Sequence, residues 1–209
     1  MLEPSAILLF MTAGIALNLT PGPDMLYVAA RASSEGRDAG VVSALGIATG
    51  TLVHTAALAL GLAALLTAVP VAYDLVRFAG AAYLVVLGVR ALLHPDVALP
   101  RGGRGPRARR AVFRQAVVTN VLNPKVALFF LAFLPQFLDP SRGNAAGQIV
   151  LLGLLFNTTG TLVNLAVAVL ASRATVWLRE GRAARALQRV TGSIFVALGV
   201  RLALAERRG

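Results

Sequence analysis

The sequence predicts an all-α integral membrane protein: six transmembrane helices forming two inverted three-helix repeats, with the first and fourth helices broken. Three observations carry that expectation. The 209-residue chain is 57% hydrophobic and 14% charged, with a mean hydropathy of +0.74, outside the range of soluble domains. Short matching segments recur in the same order in its two halves. Two proline-containing interruptions, PGP at 21–23 and NPK at 123–125, fall inside apolar runs.

A helix needs about 20 apolar residues to cross the hydrocarbon. The stretches near 5–28, 40–68, 74–93, 115–138, 147–171 and 188–205 reach or approach that length. They fill most of the chain, so 1–209 reads as a single transmembrane domain with no sizeable soluble unit. None shows the alternating polarity of barrel strands. The first run has no basic region before it and no small-residue cleavage site after it, so it is expected to remain as a span.

The formal charge of +11 raises the question of nucleic acid, but the basic residues lie in the gaps between spans. Arg101, Arg104, Arg107, Arg109, Arg110 and Arg114 fall in one gap, and Arg173, Arg179, Arg182, Arg185 and Arg189 in another. The positive-inside rule reads both as cytoplasmic, and no nucleic-acid partner is expected. The gaps near Asp74 and 139–144 then lie outside, together with the N-terminus. Arg207 and Arg208 would face outward, against the rule. Cysteine is absent, which excludes disulfides and thiol redox chemistry. No GxxxxGK[ST] loop is present to couple ATP, and no metal or cofactor is expected.

ATGTLVH at 48–54 matches TTGTLVN at 158–164, and LGVR at 87–90 matches LGVR at 198–201. A match weaker in letters sets LTPGPD at 19–24 beside LNPK at 122–125. The order is the same each time, which suggests repeat one at about 5–93, repeat two at about 112–205, and a basic linker at 94–111. Three helices are an odd number, so the second copy enters the membrane from the opposite side. Inverted repeats with corresponding broken helices are a transporter architecture, with the site near the midplane.

Pro21 and Pro23 remove backbone donors and clash with the preceding turn, and Gly22 admits non-helical conformations. Freed backbone groups survive in a membrane only where protein or a water-filled cavity satisfies them. The ends of half-helices aim both signs of partial charge at the gap, and an amino acid carries both signs. Asn123, Pro124 and Lys125 repeat the arrangement, with the Asn side chain able to bond locally.

Asp24 is the one acid deep within an expected span, and Lys125 is the single lysine. An ionised group at the bilayer centre costs about 2.5–3.5 kcal/mol on insertion scales, so neither is expected to face lipid. Their matching positions suggest that they approach each other. A static ion pair, or an Asp24 that merely caps the following helix, stays open as the structural alternative. Asn18, His54, Asn120 and Asn164 are further candidates for the site, with buried interhelical hydrogen bonds as the plainer role. Gly46 with Gly50, and Gly80 with Leu84 and Gly88, predict close packing or a homodimer. Residues 173–186, with Trp177 among arginines, read as an interfacial helix against membrane lipid.

The chain resembles the LysE/RhtB family of bacterial amino-acid exporters. The resemblance rests on NLTPGPDMLYVAARAS at 18–33, GIATGTLVH at 46–54, AGAAYLVVLGVRAL at 79–92 and NVLNPKVALFFLAFLPQF at 120–137, and it extends over nearly the whole chain. It implies a multi-pass exporter of amino acids or close derivatives in the bacterial inner membrane, driven by proton antiport. Pro21, Gly22, Pro23, Asp24, Asn123, Pro124 and Lys125 match its motifs, and His54 matches more weakly. The family's substrates range over lysine, arginine, threonine, homoserine and leucine, and nothing in the sequence selects among them. An exporter of an inorganic ion and a non-transporting membrane scaffold are the alternatives. A membrane enzyme would need clustered acids with a metal, or a serine and histidine in reach, and is not expected.

Overall fold

The structure, a computed structural model, describes residues 2–68, 108–170 and 182–204, with short helical stretches between 78 and 93. Among the described residues there is no strand. The helices are α1 (Pro4–Leu19), α2 (Pro23–Glu35), α3 (Arg37–Ala68), α4 (Arg109–Val121), α5 (Pro124–Leu128), α6 (Ala145–Val169) and α7 (Arg182–Leu204). A π-helical turn at Phe129–Phe133 and 3-10 turns at Leu134–Phe137 and Pro140–Arg142 join α5 to α6.

Two helices are long and apolar enough to cross a membrane singly: Arg37–Gly61 within α3, and Ala145–Val169. Two bent pairs meet the same measure jointly. Pro4–Leu19 with Pro23–Glu35, and Arg109–Val121 with Pro124–Phe137, are each bent by 45° at the break. These are the two places where the sequence predicts broken helices. Most of the expected span at 74–93, Gly80, Leu84, Gly88, the linker up to 107, and Trp177 with its neighbours at 171–181 lie outside the described residues.

Local chemistry explains the breaks. Pro21 disfavours helical geometry at the residue before it, and Thr20 is extended (φ −70°, ψ 124°). Pro23 then starts α2, a position where its missing N–H costs nothing. Gly22 is the N-cap, with no side-chain hydrogen bond. That corrects the capping alternative for Asp24, which lies inside the first turn. Gly36 ends α2 with φ +93°, a region that suits glycine. Asn123 caps α5 as expected, its Oδ1 accepting from the Lys125 N–H at 3.0 Å.

The ends of the bundle are fixed by polar contacts. Arg109 pairs with Asp38 at 2.9 Å, so the start of α4 lies beside the start of α3. At the other end Arg142 pairs with Glu3 at 3.1 Å and with Asp139 at 3.0 Å. Hydrogen bonds from Ser141, with Arg142 nearby, hold the Asp139 carboxyl below its usual range. Leu8, Leu60 and Leu162 point outward, 62–80% exposed, as a lipid-facing surface requires.

Small residues bring α3 against α4. A Cβ on Gly46 would stand 2.6 Å from both the Ala116 Cβ and the Phe113 carbonyl oxygen. Gly46 and Gly50 therefore serve packing within the chain. Gly46→Ala is expected to destabilise the protein by about 1–3 kcal/mol through overpacking, seen as a lower Tm in detergent. An unchanged Tm would mean that the two helices part without cost.

Candidate functional site

The breaks leave backbone carbonyls without helical partners, and distant side chains satisfy two of them. Lys125 Nζ donates to the Thr20 carbonyl oxygen at 2.7 Å. Gln188 Nε2, on α7, donates to the Pro21 carbonyl oxygen at 3.2 Å. Lys125 crosses directly over Gly22, where a Cβ would lie 3.3 Å from its Cδ and Nζ. The two interruptions thus meet in space, with the ammonium of one on the negative end of α1 in the other.

The expected approach of Asp24 to Lys125 takes a different form. No ion pair within 4.0 Å joins them among the described residues. Asp24 Oδ2 accepts instead from Asn120 Nδ2 at 2.8 Å. Its Oδ1 is buried without a hydrogen-bond partner. An unsatisfied buried acceptor costs about 1–3 kcal/mol, or more when charged, which sets Asp24 apart from the other polar groups of the cavity.

Beside it is a cavity of about 20 Å³. Asn18, Asp24, Thr51, Asn120, Asn157, Thr161 and Asn164 supply its polar lining, and Phe156, Ile47 and Val126 are among its apolar walls. That space suffices for about one water and is far below the roughly 300 Å³ of a ligand pocket, so an amino acid would need the surrounding helices to move apart.

Two carboxamide–glycine contacts frame the cavity. Asn120, before the second break, lies against Gly50 of α3, where a Cβ would be 2.7 Å from the amide oxygen. Asn18, before the first break, lies against Gly160 of α6, where a Cβ would be 3.0 Å from the amide oxygen. Gly50 and Gly160 are the matching glycines of the ATGTLVH and TTGTLVN segments. Each half thus offers its glycine to the other half's asparagine. Asn18 Nδ2 also donates to the Phe156 carbonyl at 3.2 Å and to Thr159 Oγ1 at 3.0 Å.

Of the residues expected at the site, Asn18, Asp24, Asn120 and Asn164 line the cavity. Pro21, Gly22, Pro23, Asn123, Pro124 and Lys125 form the breaks beside it. His54 stands one layer back, its Nε2 3.2 Å from the Asn120 carbonyl oxygen and its ring against Phe130. Sequence reasoning missed Gln188, a lone amide among the arginines at the start of α7. It also missed Tyr27 and Arg31, which follow Asp24 at the spacing of one helix face. Among the described residues no cluster of three His, Asp or Glu could hold a metal.

Residues 15–206 match the family model of the LysE type translocator. The homoserine/homoserine lactone efflux protein of Salmonella typhimurium is 28% identical over 94% of this chain and 95% of its own. An uncharacterized membrane protein of Pseudomonas aeruginosa, PA4757, is 32% identical over 90% of this chain and 89% of its own. The uncharacterized membrane protein YrhP of Bacillus subtilis is 25% identical over 96% and 99%. No solved structure matches the chain. With paired helix breaks and a buried polar cavity between them, the chain belongs to the LysE type translocator family and is a membrane efflux transporter, not an enzyme.

Proposed function

We propose that the protein exports amino acids or close derivatives across the bacterial inner membrane in exchange for protons, from a site between the two breaks. The observation that carries this reading is the buried, unpartnered Asp24 Oδ1 in an amide-lined cavity. A carboxylate oxygen with no internal donor suits either a substrate ammonium or a proton, and competition for one oxygen couples their movements in opposite directions. A scaffold has no use for such a group. A divalent inorganic cation would keep a positive charge uncompensated here, since the cavity offers a single carboxylate among neutral amides and hydroxyls.

The reciprocal asparagine–glycine contacts support six spans in two inverted repeats, 5–93 and 112–205, since a pseudo-twofold axis between the halves generates such an exchange. The ends also support the orientation. Arg31, Arg37, Arg109, Arg110 and Arg114 belong to the end that holds Asp38, read as cytoplasmic, and Glu3 and Asp139 to the other. Apart from Asp24 the polar lining is amides and hydroxyls, which favours small hydroxylated amino acids, and homoserine, named for the Salmonella relative, is the first to try.

The test loads cells with a mixture of labelled amino acids and compares their loss with and without the protein, at two external pH values. Faster loss of at least one small polar amino acid, strengthened by external acid, is expected. Equal loss of every amino acid would overturn the reading.

A further inference from the structure

Two sides of the cavity are backed by different chemistry. Behind its Phe156 wall stands a ring cluster: Phe156 packs on Phe129 at 4.8 Å, Phe129 on Phe133 at 5.0 Å, and Phe133 on Phe137 at 4.8 Å between centroids. Phe10 joins them from α1. Parting this seam would expose several rings at once, and each large apolar side chain is costly to uncover.

On the other side, α2 meets α4 through a polar seam. Asp24, Tyr27 and Arg31 are spaced three and four residues apart and share one face of α2. Asp24 accepts from Asn120. Below it the Tyr27 hydroxyl donates to the Val112 carbonyl at 3.1 Å and lies 3.3 Å from Gln115 Oε1. Below that, Arg31 Nη2 donates to Gln115 Oε1 at 2.7 Å. Arg31 Nη1 pairs with Glu35, and its guanidinium lies 5.2 Å from the Tyr27 ring centroid. Arg31 is only 8% exposed. These contacts exchange for water at small net loss, because the freed groups are solvated as they part.

We infer that the α2–α4 seam is the substrate's entry route from the cytoplasm and that Tyr27, Arg31, Glu35 and Gln115 are its gate. The route rests on the proposed export function. It runs from the arginine-rich end to Asp24 along continuous hydrogen-bonding groups, so an amino acid entering it exchanges one polar partner for the next. Gly22 and Gly36 bound α2 at either end, which gives the seam two pivots. The aromatic side stays shut while the polar side is open.

The chain lacks cysteine, so one introduced thiol reports access without background. Ala48→Cys sets a thiol in the cavity wall, read with a charged, membrane-impermeant thiol reagent on vesicles of each orientation. Adding Gln115→Leu removes the acceptor of Arg31 and is expected to raise labelling from the cytoplasmic face by on the order of tenfold, with labelling from the outer face unchanged. Gln115→Glu strengthens the latch and should slow labelling, so the inference stays testable even if the leucine variant fails to fold. No change in either variant, or an equal rise from both faces, would overturn it. In the full-length chain, Arg31→Cys with Gln115→Cys is measured for efflux first without cross-linking, as its own reference; joining the two thiols with a cleavable bifunctional reagent should stop that variant's efflux, and cleavage should return it to the variant's own reference level. Efflux that persists with the seam fully joined defeats the route alone. Failure of the unmutated chain to export any amino acid defeats the export reading instead.

Discussion

Asp24→Asn is expected to reach the membrane in near-normal amount and to lose efflux by roughly a hundredfold or more, the scale on which removing one partner of a buried charged contact acts. Asparagine keeps the shape and can still accept from Asn120, so the contact at 2.8 Å survives. It also removes a charge whose insertion is costly. What disappears is the ability to bind a proton or hold an ammonium. Lys125 should be indifferent, because its ammonium is held by the Thr20 carbonyl. That separates this reading from a static pair. If Asp24 and Lys125 only neutralised each other, Asp24→Asn with Lys125→Gln would recover both abundance and efflux. The measurement is membrane abundance and efflux for both single variants and the double one, treated as a mutant cycle. A stable, inactive double variant is the expected outcome, and recovery would sink the proton-carrier role.

Replacing Pro21, Gly22 and Pro23 together by alanine should also abolish efflux, for a backbone reason. Each interior proline costs a helix about 3 kcal/mol, so the variant favours a straight first span. In a straight helix the Thr20 and Pro21 carbonyls accept from the N–H groups four residues on. Lys125 and Gln188 then lose their acceptors, and the 45° bend that brings the breaks together disappears. Insertion should be normal or better, read by membrane abundance. Transport that survives the change would make the interruption incidental and place the site elsewhere.

The breaks were legible because proline and glycine act on the backbone wherever they stand: Pro21, Pro23 and Pro124 end or start helices at the expected residues. Asn18, Asn120 and Asn164 were legible as polar groups in apolar runs, since a membrane leaves them few places to go. Partners were not legible. Matching positions suggested that Asp24 would face Lys125, yet a long flexible ammonium can reach past a carboxylate to a helix end, and Asn120 supplies the carboxylate with a donor. The π-helical and 3-10 turns after α5 gave no signal, because FFLAFLPQF reads as ordinary apolar helix until Pro135. Tyr27 and Arg31 lie where the first expected span runs into its loop, and Gln115 lies where the fourth expected span begins. Their importance comes from α4 lying opposite, which only the tertiary arrangement supplies.

The run of contacting rings from Phe156 to Phe137 bears on cellular energetics as well as on shape. A bacterial membrane stores work as a voltage, worth about 2.3 kcal/mol per elementary charge at 100 mV, and any continuous file of water through a protein would discharge it. Rings in contact at about 5 Å carry no donors or acceptors along which a proton could hop. Where these rings stay in contact they give protons no path, so an idle copy is expected to leave the stored voltage undrained on that side.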